Sequence, residues 1–320
     1  MRPAERHVFL THDLPHGPMK RFHPKYRHRF ISFIKDMNVV GIRLLAQQLP
    51  RLLFFKPRQE LILRTLHGFD LVIDPARDTG VERSLYHTGT YEKGTLHIMG
   101  KLLAPGDTFI DVGANIGLMS VFAAGLVGDE GRVLAFEPNP ATRRILERNV
   151  ALNGMRNIEV SPFAIGSRNE VSRIFDSPDL NRGRATMMAP VSADGGYEVK
   201  VTRLSDLVGE EEVKLVKLDV EGYELEALKG MGSMFARSVP PILIIEHSAE
   251  REERSGTGAN AVYDHLSGLG RYRIFKAAKT KERVSRLIEV KDRRGLPAHD
   301  NIFCFTPEHM TALQDAGAFR

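Results

Sequence analysis

Cysteine is nearly absent from this chain of 320 residues: Cys304 is the single thiol. No internal disulfide can form and no cysteine-based zinc cluster can assemble, a usage that fits a reducing compartment. Long apolar runs are missing too. None approaches the roughly 20 residues a helix needs to span a bilayer, and the opening MRPAERHVFLTHDLPHG lacks the apolar core of a secretory signal. These absences predict a cytoplasmic protein. Internal repeats and low-complexity tracts are also absent. What is present, 42% hydrophobic and 27% charged residues, is an ordinary globular composition able to bury one large core or two modest ones.

Charge is unevenly placed. Residues 1–60 hold 12 Lys/Arg against 4 Asp/Glu and five histidines, leaving 33 basic and 36 acidic groups in the remaining 260 residues. The basic balance therefore belongs to an N-terminal extension. Such an arm could touch nucleic acid or an anionic membrane face, or simply pack against the body. Residues 1–27 show no apolar periodicity and are expected to lack regular structure. From Phe30, helical spacing (Phe30, Phe33, Ile34, Met37, Val40, Leu44) predicts one or two amphipathic helices ending near Pro50, followed by the apolar patch LLFF at 52–55. The chain divides into this basic extension (1–60), a strand and helix segment packing on or covering the site (61–100), a main domain (101–307) and a C-terminal tail (308–320).

Within 61–74, two short strands are expected around His67-Gly68. Helical periodicity follows over 78–103, where Thr90, Tyr91 and Glu92 could face the site. Then elements alternate: DTFIDV, GRVLAF, NIEVSPFAIG, VKLVKLD and PILIIEH read as strands, with amphipathic helices between them. RYRIF (271–275) and NIFCF (301–305) complete the sheet, whereas 170–203 is less regular and reads as short strands or a loop excursion. Strands alternating with helices predict a doubly wound, Rossmann-like α/β domain. PILIIEH, apolar almost throughout, predicts a strand buried on both faces.

The first strand runs into Asp111-Val112-Gly113-Ala114-Asn115-Ile116-Gly117, and a helix follows. Strand, glycine turn and helix together can present backbone N–H groups to a ligand. The dinucleotide pattern G-x-G-x-x-G is broken here, because Asn115 stands where the middle glycine would approach a pyrophosphate. Asp111 would repel a pyrophosphate and attract a cation such as an ammonium. Glu137, 20 residues beyond Gly117 at the tip of the second strand, suits a ribose diol. A ribose with an ammonium points to S-adenosyl-L-methionine.

A second constellation, Lys217-Leu218-Asp219-Val220-Glu221-Gly222-Tyr223-Glu224, follows the fourth strand. Ligands of open parallel sheets sit beyond the carboxyl ends of the strands, so Asp219 shares a rim with Asp111 and Glu137. Asp219, Glu221, Glu224 and, from the next strand, His247 are candidates to orient a hydroxyl or take its proton. Glu221 and Glu224 could instead stabilise the start of a helix. Carboxylates here could also draw a divalent cation, although no metal site is assigned. Asn301 could contribute an amide.

DVGANIG (111–117), FEPNP (136–140), Ala164-Ile165-Gly166, LDVEGYELEALKG (218–230) and IIEH (244–247) together resemble the FkbM-type family of class I S-adenosylmethionine-dependent methyltransferases. The resemblance covers about residues 90–307. It implies about seven strands with the last antiparallel, and cofactor bound across Asp111, Gly113, Asn115, Gly117 and Glu137, with Ala164 near the adenine. It further implies O-methylation of a small molecule, saccharide or glycolipid. Such a step is an in-line attack by a hydroxyl, for which the protein supplies alignment and proton removal. The competing readings are an RNA ribose methyltransferase, a nicotinamide-dinucleotide oxidoreductase and a non-catalytic nucleotide-binding module. An acidic rim disfavours a phosphate backbone, and Cys304 between phenylalanines reads as core.

Overall fold

The computed structural model describes residues 19–23, 25–36, 59–175 and 196–315. The 52–55 patch and part of the less regular 170–203 segment lie outside them. The chain begins with β1 (Arg21–Phe22), α1 (Lys25–Asp36), the pair β2 (Leu61–Arg64) and β3 (Asp70–Ile73), then α2 (Val81–Thr88) and α3 (Lys93–Leu102). Next come β4 (Thr108–Val112), α4 (Leu118–Val127), β5 (Arg132–Phe136), α5 (Pro140–Leu152), β6 (Ile158–Ser161), β7 (Ala164–Ile165), β8 (Glu170–Ile174) and β9 (Tyr197–Thr202). The last third holds α6 (Leu204–Val208), β10 (Leu215–Leu218), α7 (Glu224–Lys229), α8 (Gly232–Phe235), β11 (Ile242–Ser248), α9 (Ala249–Arg254) and α10 (Ala261–Gly268). It closes with β12 (Arg273–Ala277), β13 (Leu287–Glu289), β14 (His299–Phe305) and α11 (Pro307–Asp315).

The central sheet has eight strands in the order β13-β12-β14-β11-β10-β4-β5-β6. From β11 to β6 every pairing is parallel, and β14 inserts antiparallel between β11 and β12. The expected antiparallel last strand is there; the eighth is β13, a short antiparallel addition to the outer edge of β12. Period-two alternation sends side chains to two separate cores. Phe109, Ile242, Ile244, Phe303 and Phe305 join one cluster with α3 and α4. Ile110, Leu243, Ile245, Ile302 and Cys304 join the other, with α7 and α10. All seven residues of β11 are buried, which is why its sequence is apolar and not alternating. Each such aliphatic side chain contributes about 1.5–3 kcal/mol on burial.

Two expectations are corrected. NIEVSPFAIG is not one strand: it breaks at Pro162-Phe163 into β6, in the central sheet, and β7, in a separate sheet of order β7-β9-β8. β6 is the edge strand of the central sheet, and the chain turns away from it at Pro162. Residues 21–27 are not irregular, since β1 pairs in parallel with β2 and α1 begins at Lys25. The β2–β3 hairpin is tied to α5 by two asparagines. Asn149 Oδ1 accepts the Val72 N–H at 2.6 Å and Asn153 Oδ1 accepts that of Asp70 at 2.9 Å.

Candidate active site

A cleft of about 200 Å³ opens beyond the carboxyl ends of β4, β5 and β10, where an open parallel sheet places its ligands. Six carboxylates line it (Glu92, Asp111, Glu137, Asp219, Glu221 and Glu246), against Lys217 and Arg251. Asn115 (φ 51°), Glu92 (φ 47°) and Glu221 (φ 53°) are the non-glycine residues with positive φ among those described, and all three line the cleft. Left-handed backbone at such residues costs roughly 1–3 kcal/mol each and concentrates at sites where geometry is enforced by function.

The turn after β4 is held from within. The N–H groups of Gly113 and Ala114 both donate to the Phe136 carbonyl at 3.0 Å, Gly117 N–H donates to Ala114 O at 2.9 Å, and Asn115 N–H donates to Glu137 Oε2 at 2.8 Å. These amides therefore do not form an open anion cradle. The two glycines answer to packing as well. A Cβ on Gly113 would lie 1.9 Å from the Asp219 carbonyl oxygen, and one on Gly117 would lie 2.3 Å from Leu146 Cδ1. Gly113 lets the exits of β4 and β10 meet; Gly117, which does not line the cleft, seats the turn on α5.

What the turn leaves open is acceptors. Asp111 Oδ2 takes the Ser120 hydroxyl at 2.6 Å, but Asp111 Oδ1 and Asn115 Oδ1 are buried with no hydrogen-bond partner. Buried acceptors of this kind are costly unless something completes them. Burial raises the Asp111 pKa, with Lys217 opposing. Glu137 Oε1 takes the Asn139 N–H at 2.9 Å. Burial pushes the Glu137 carboxyl up to about 7, with the two backbone N–H bonds pulling the other way. Beside it, Phe136, Phe163, Ala164, Ile165 and Ile174 form an apolar wall.

The opposite half of the cleft is an ion-pair lattice. Lys217 Nζ, on β10 and buried, meets Asp219 Oδ2 at 2.7 Å. Burial would raise Asp219, yet Lys217 and then Lys281 outweigh it and hold the carboxyl below its ordinary range. Lys281 Nζ bonds Glu92 Oε1 at 2.8 Å and also Glu246. Arg251 bonds Glu221 Oε2 at 2.6 Å and also Glu246. Burial and Asp219 push Glu221 up to about 8, with Arg251 countering only part of the effect. Oxygens of Glu92, Asp219 and Glu246 lie within 4.8 Å of one another, but each is already paired with a side-chain cation.

Of the residues expected at the site, Asp111, Gly113, Asn115, Glu137, Ala164, Asp219 and Glu221 line the cleft together. Two expected catalytic residues do not. Glu224 is buried behind the 220–222 loop, where it accepts the Gly222 N–H at 3.0–3.1 Å and the Val220 N–H at 3.2 Å. His247, 1% exposed, is bonded through Nδ1 to Glu252 Oε1 at 2.6 Å and so anchors α9 to β11. Asn301 donates to Glu92 Oε2 and Thr95 Oγ1, both at 2.8 Å, and fixes the Glu92 carboxylate.

The sequence reading gave no role to Lys217, Arg251, Lys281 or His299. Lys217 had a signal, a lysine inside an otherwise apolar strand two residues before Asp219. His299 opens β14 opposite Ser248, lines the cleft, and has its Nε2 3.7 Å from Glu246 Oε1. Burial lowers its pKa below the usual histidine value; Glu246 opposes, while Arg251 and Lys281 add to the lowering. The ring is therefore neutral at neutral pH.

Residues 111–274 match the methyltransferase FkbM domain. The 31-O-demethyl-FK506 methyltransferase FkbM of Streptomyces tacrolimicus is 29% identical over 163 residues, 41% of this chain and 62% of that protein. The hexuronic acid methyltransferase AglP of Haloferax volcanii is 33% identical over 144 residues, 44% of this chain and 56% of that protein. Methyltransferase 1 of Beauveria bassiana is 30% identical over 150 residues, 40% of this chain and 59% of that protein. The chain thus spans about three fifths of the length of these curated relatives. Among solved structures, a methyltransferase FkbM from Methylobacillus flagellatus KT aligns over 69% of this chain and 52% of its own, at 16% identity and a TM-score of 0.40. The family match spans the glycine turn, Glu137, the Asp219–Glu224 loop and β11 in one alignment, and by it the chain belongs to the methyltransferase FkbM domain family.

Proposed function

We propose that the cleft binds S-adenosyl-L-methionine and directs its methyl group to a hydroxyl of a small molecule or saccharide. The observation that carries this reading is the balance at the turn after β4: the N–H groups of Gly113, Ala114, Asn115 and Gly117 are internally bonded, while Asp111 Oδ1 and Asn115 Oδ1 are buried acceptors with no partner. A pyrophosphate needs donors; an ammonium and a ribose diol bring donors to acceptors. The residues present fit the cofactor, which when bound supplies a methyl carbon activated by a sulfonium. Asp111 Oδ1 receives the ammonium, the second lone pairs of Glu137 receive the ribose hydroxyls, and Phe163, Ala164 and Ile165 enclose the base.

At the other end, the acceptor oxygen would bond to the methyl carbon as the carbon–sulfur bond breaks, S-adenosylhomocysteine would leave as a neutral thioether, and the hydroxyl proton would pass to a base. Asp219, Glu221, Glu92 and Glu246 are all paired with cations, so none is an unencumbered base. His299 is neutral and has Glu246 beside it to stabilise the imidazolium that proton uptake creates. We assign proton acceptance to His299. Asp219 and Glu221 set the potential of the acceptor half and orient the hydroxyl. Glu224 and His247 act behind them, through the loop and through α9. The relative named for hexuronic acid methylation supports a saccharide acceptor, and the carboxylate-rich lining disfavours a phosphodiester backbone.

Thermal shift tests the reading, because a ligand of the native state stabilises it. S-adenosylhomocysteine is expected to raise the melting temperature and NAD to leave it unchanged. The converse result overturns the proposal. Transfer of labelled methyl groups into saccharide, lipid, protein and RNA fractions then identifies the acceptor class, with the saccharide or small-molecule pool expected to take the label.

A further inference from the structure

Helix α1 has its apolar face on the wrong side for a helix in contact only with water. Its inner face carries His28, Ile31 and Ser32, all buried, with His28 Nε2 at 2.9 Å from the Tyr86 carbonyl of α2. The outer face carries Tyr26, Phe30 and Phe33, which are 86%, 51% and 63% exposed. Spacing of i, i+4 and i+7 puts the three rings in one stripe along the helix. Lys25, Arg27 and Arg29 are exposed on its flanks. From Met19 onward the first acidic residue is Asp36, while Lys20, Arg21, Lys25, Arg27, Arg29 and Lys35 precede it. A surface helix normally turns polar residues outward. One that presents an aromatic stripe bordered by cations matches the interface of an anionic bilayer, with rings at the headgroup level and cations toward the phosphates.

We propose that the outward face of α1 docks this protein on an anionic membrane surface. Charge complementarity selects that partner. The 1–60 segment carries a surplus of basic over acidic groups, 12 against 4, and Lys25, Arg27 and Arg29 are exposed beside the aromatic stripe. Attachment is peripheral, since no helix among the described residues is long and apolar enough to cross a membrane. Docking also reaches the cleft by a short route. Phe22, just before α1, stacks on Tyr86 of α2 at 4.9 Å, and Gly80 and Val81 at the start of α2 line the cleft. The bilayer would thus hold the cleft mouth at a fixed angle to the membrane.

Co-sedimentation of the full chain with vesicles tests the proposal. Vesicles of equal parts phosphatidylglycerol and phosphatidylcholine are expected to bind it, and pure phosphatidylcholine vesicles to bind at least about ten-fold more weakly. Raising salt from about 0.05 M to about 0.5 M should release the protein, because headgroup attraction falls off within a Debye length. Replacing Tyr26, Phe30 and Phe33 together by serine should abolish binding while melting temperature stays that of the parent. Lys25→Glu with Arg29→Glu should weaken it about ten-fold or more, which keeps the test valid if the serine variant is poorly folded. Equal binding to both vesicle types, no binding to either, or aromatic-dependent dimerisation in place of vesicle binding would each overturn the proposal.

Discussion

The two halves of the cleft solve opposite electrostatic problems. On the β4–β5 side the N–H groups of Gly113, Ala114, Asn115 and Gly117 are bonded internally and acceptors are left over: Asp111 Oδ1, Asn115 Oδ1 and the second lone pairs of Glu137. On the β10–β11–β14 side the carboxylates Asp219, Glu221, Glu246 and Glu92 are each matched to Lys217, Arg251 or Lys281. The first half is incomplete without a ligand that donates hydrogen bonds. The second is complete by itself, a frame of ion pairs with His299 Nε2 3.7 Å from Glu246 Oε1. A receptive half beside a self-satisfied half is what binding a cofactor and merely positioning an acceptor require.

The frame breaks most easily at Lys217. Lys217→Met leaves the half-buried Asp219 beside Glu92 and Asp111 without its 2.7 Å partner, and the cost should fall near the lower end of the roughly 3–5 kcal/mol for removing one member of a buried pair. Urea unfolding should show a loss of that size. A loss under about 1 kcal/mol, typical of exposed pairs, would mean that water already screens this one. His299→Ala tests the chemistry with the frame left standing. Turnover on an identified acceptor should fall about 100-fold or more, the scale of a positioned general base, with S-adenosylhomocysteine affinity unchanged. Normal turnover would return the proton-accepting role to Asp219 or Glu221.

The receptive half was legible in the sequence and the frame was not, for a physical reason. Asp111, Asn115 and Glu137 sit on a continuous strand–turn–helix–strand unit, so spacing along the chain fixes their spacing in space. The frame is assembled from segments far apart in sequence: Lys281 meets Glu92 across 189 positions of chain by numbering alone, and His299 reaches the cleft only because β14 runs antiparallel beside β11. His247 illustrates the resulting error. A histidine at the end of β11 is correctly placed on the rim, but pleating and the Glu252 carboxylate turn it into an anchor for α9, and the histidine on the neighbouring strand lines the cleft instead. Gly113 lines the cleft as expected, but the atom that a Cβ there would meet first is the Asp219 carbonyl oxygen. One-dimensional patterns reveal that a backbone must come close, but not to what.

The receptive half predicts a more modest effect. Glu137→Ala removes the acceptor offered to the ribose and also releases the Asn115 and Asn139 N–H groups. S-adenosylhomocysteine should then bind about 1–3 kcal/mol more weakly, the range for a hydrogen bond to a charged group. Calorimetric titration measures this directly, and unchanged affinity would remove Glu137 from the site. Glu137→Gln is the sharper variant, because it keeps the volume and one carbonyl acceptor while deleting the charge.

That charge makes the smallest effect, and it has a definite sign. The Glu137 carboxyl is pushed up to about 7, so near neutrality it is half protonated, and the protonated form accepts more weakly. Affinity for S-adenosylhomocysteine should therefore rise from about pH 6 to about pH 8, by about three- to four-fold if the charged acceptor is worth roughly 1 kcal/mol over the neutral one. Stability of the unliganded protein carries the opposite slope from this group. A carboxyl whose pKa is raised on folding holds its proton more tightly in the native state, so its contribution is full below the unfolded value and is lost as pH climbs through the folded one. Glu224, also pushed up to about 7, and Glu221, up to about 8, add to that loss in the same window. Glu137→Gln separates the two readouts: the pH dependence of affinity should flatten, while the fall in stability persists in part because Glu221 and Glu224 still titrate. If affinity keeps its slope in this variant, the ionisation that governs binding lies in the ion-paired half, and the division of the cleft into a receptive and a satisfied half fails.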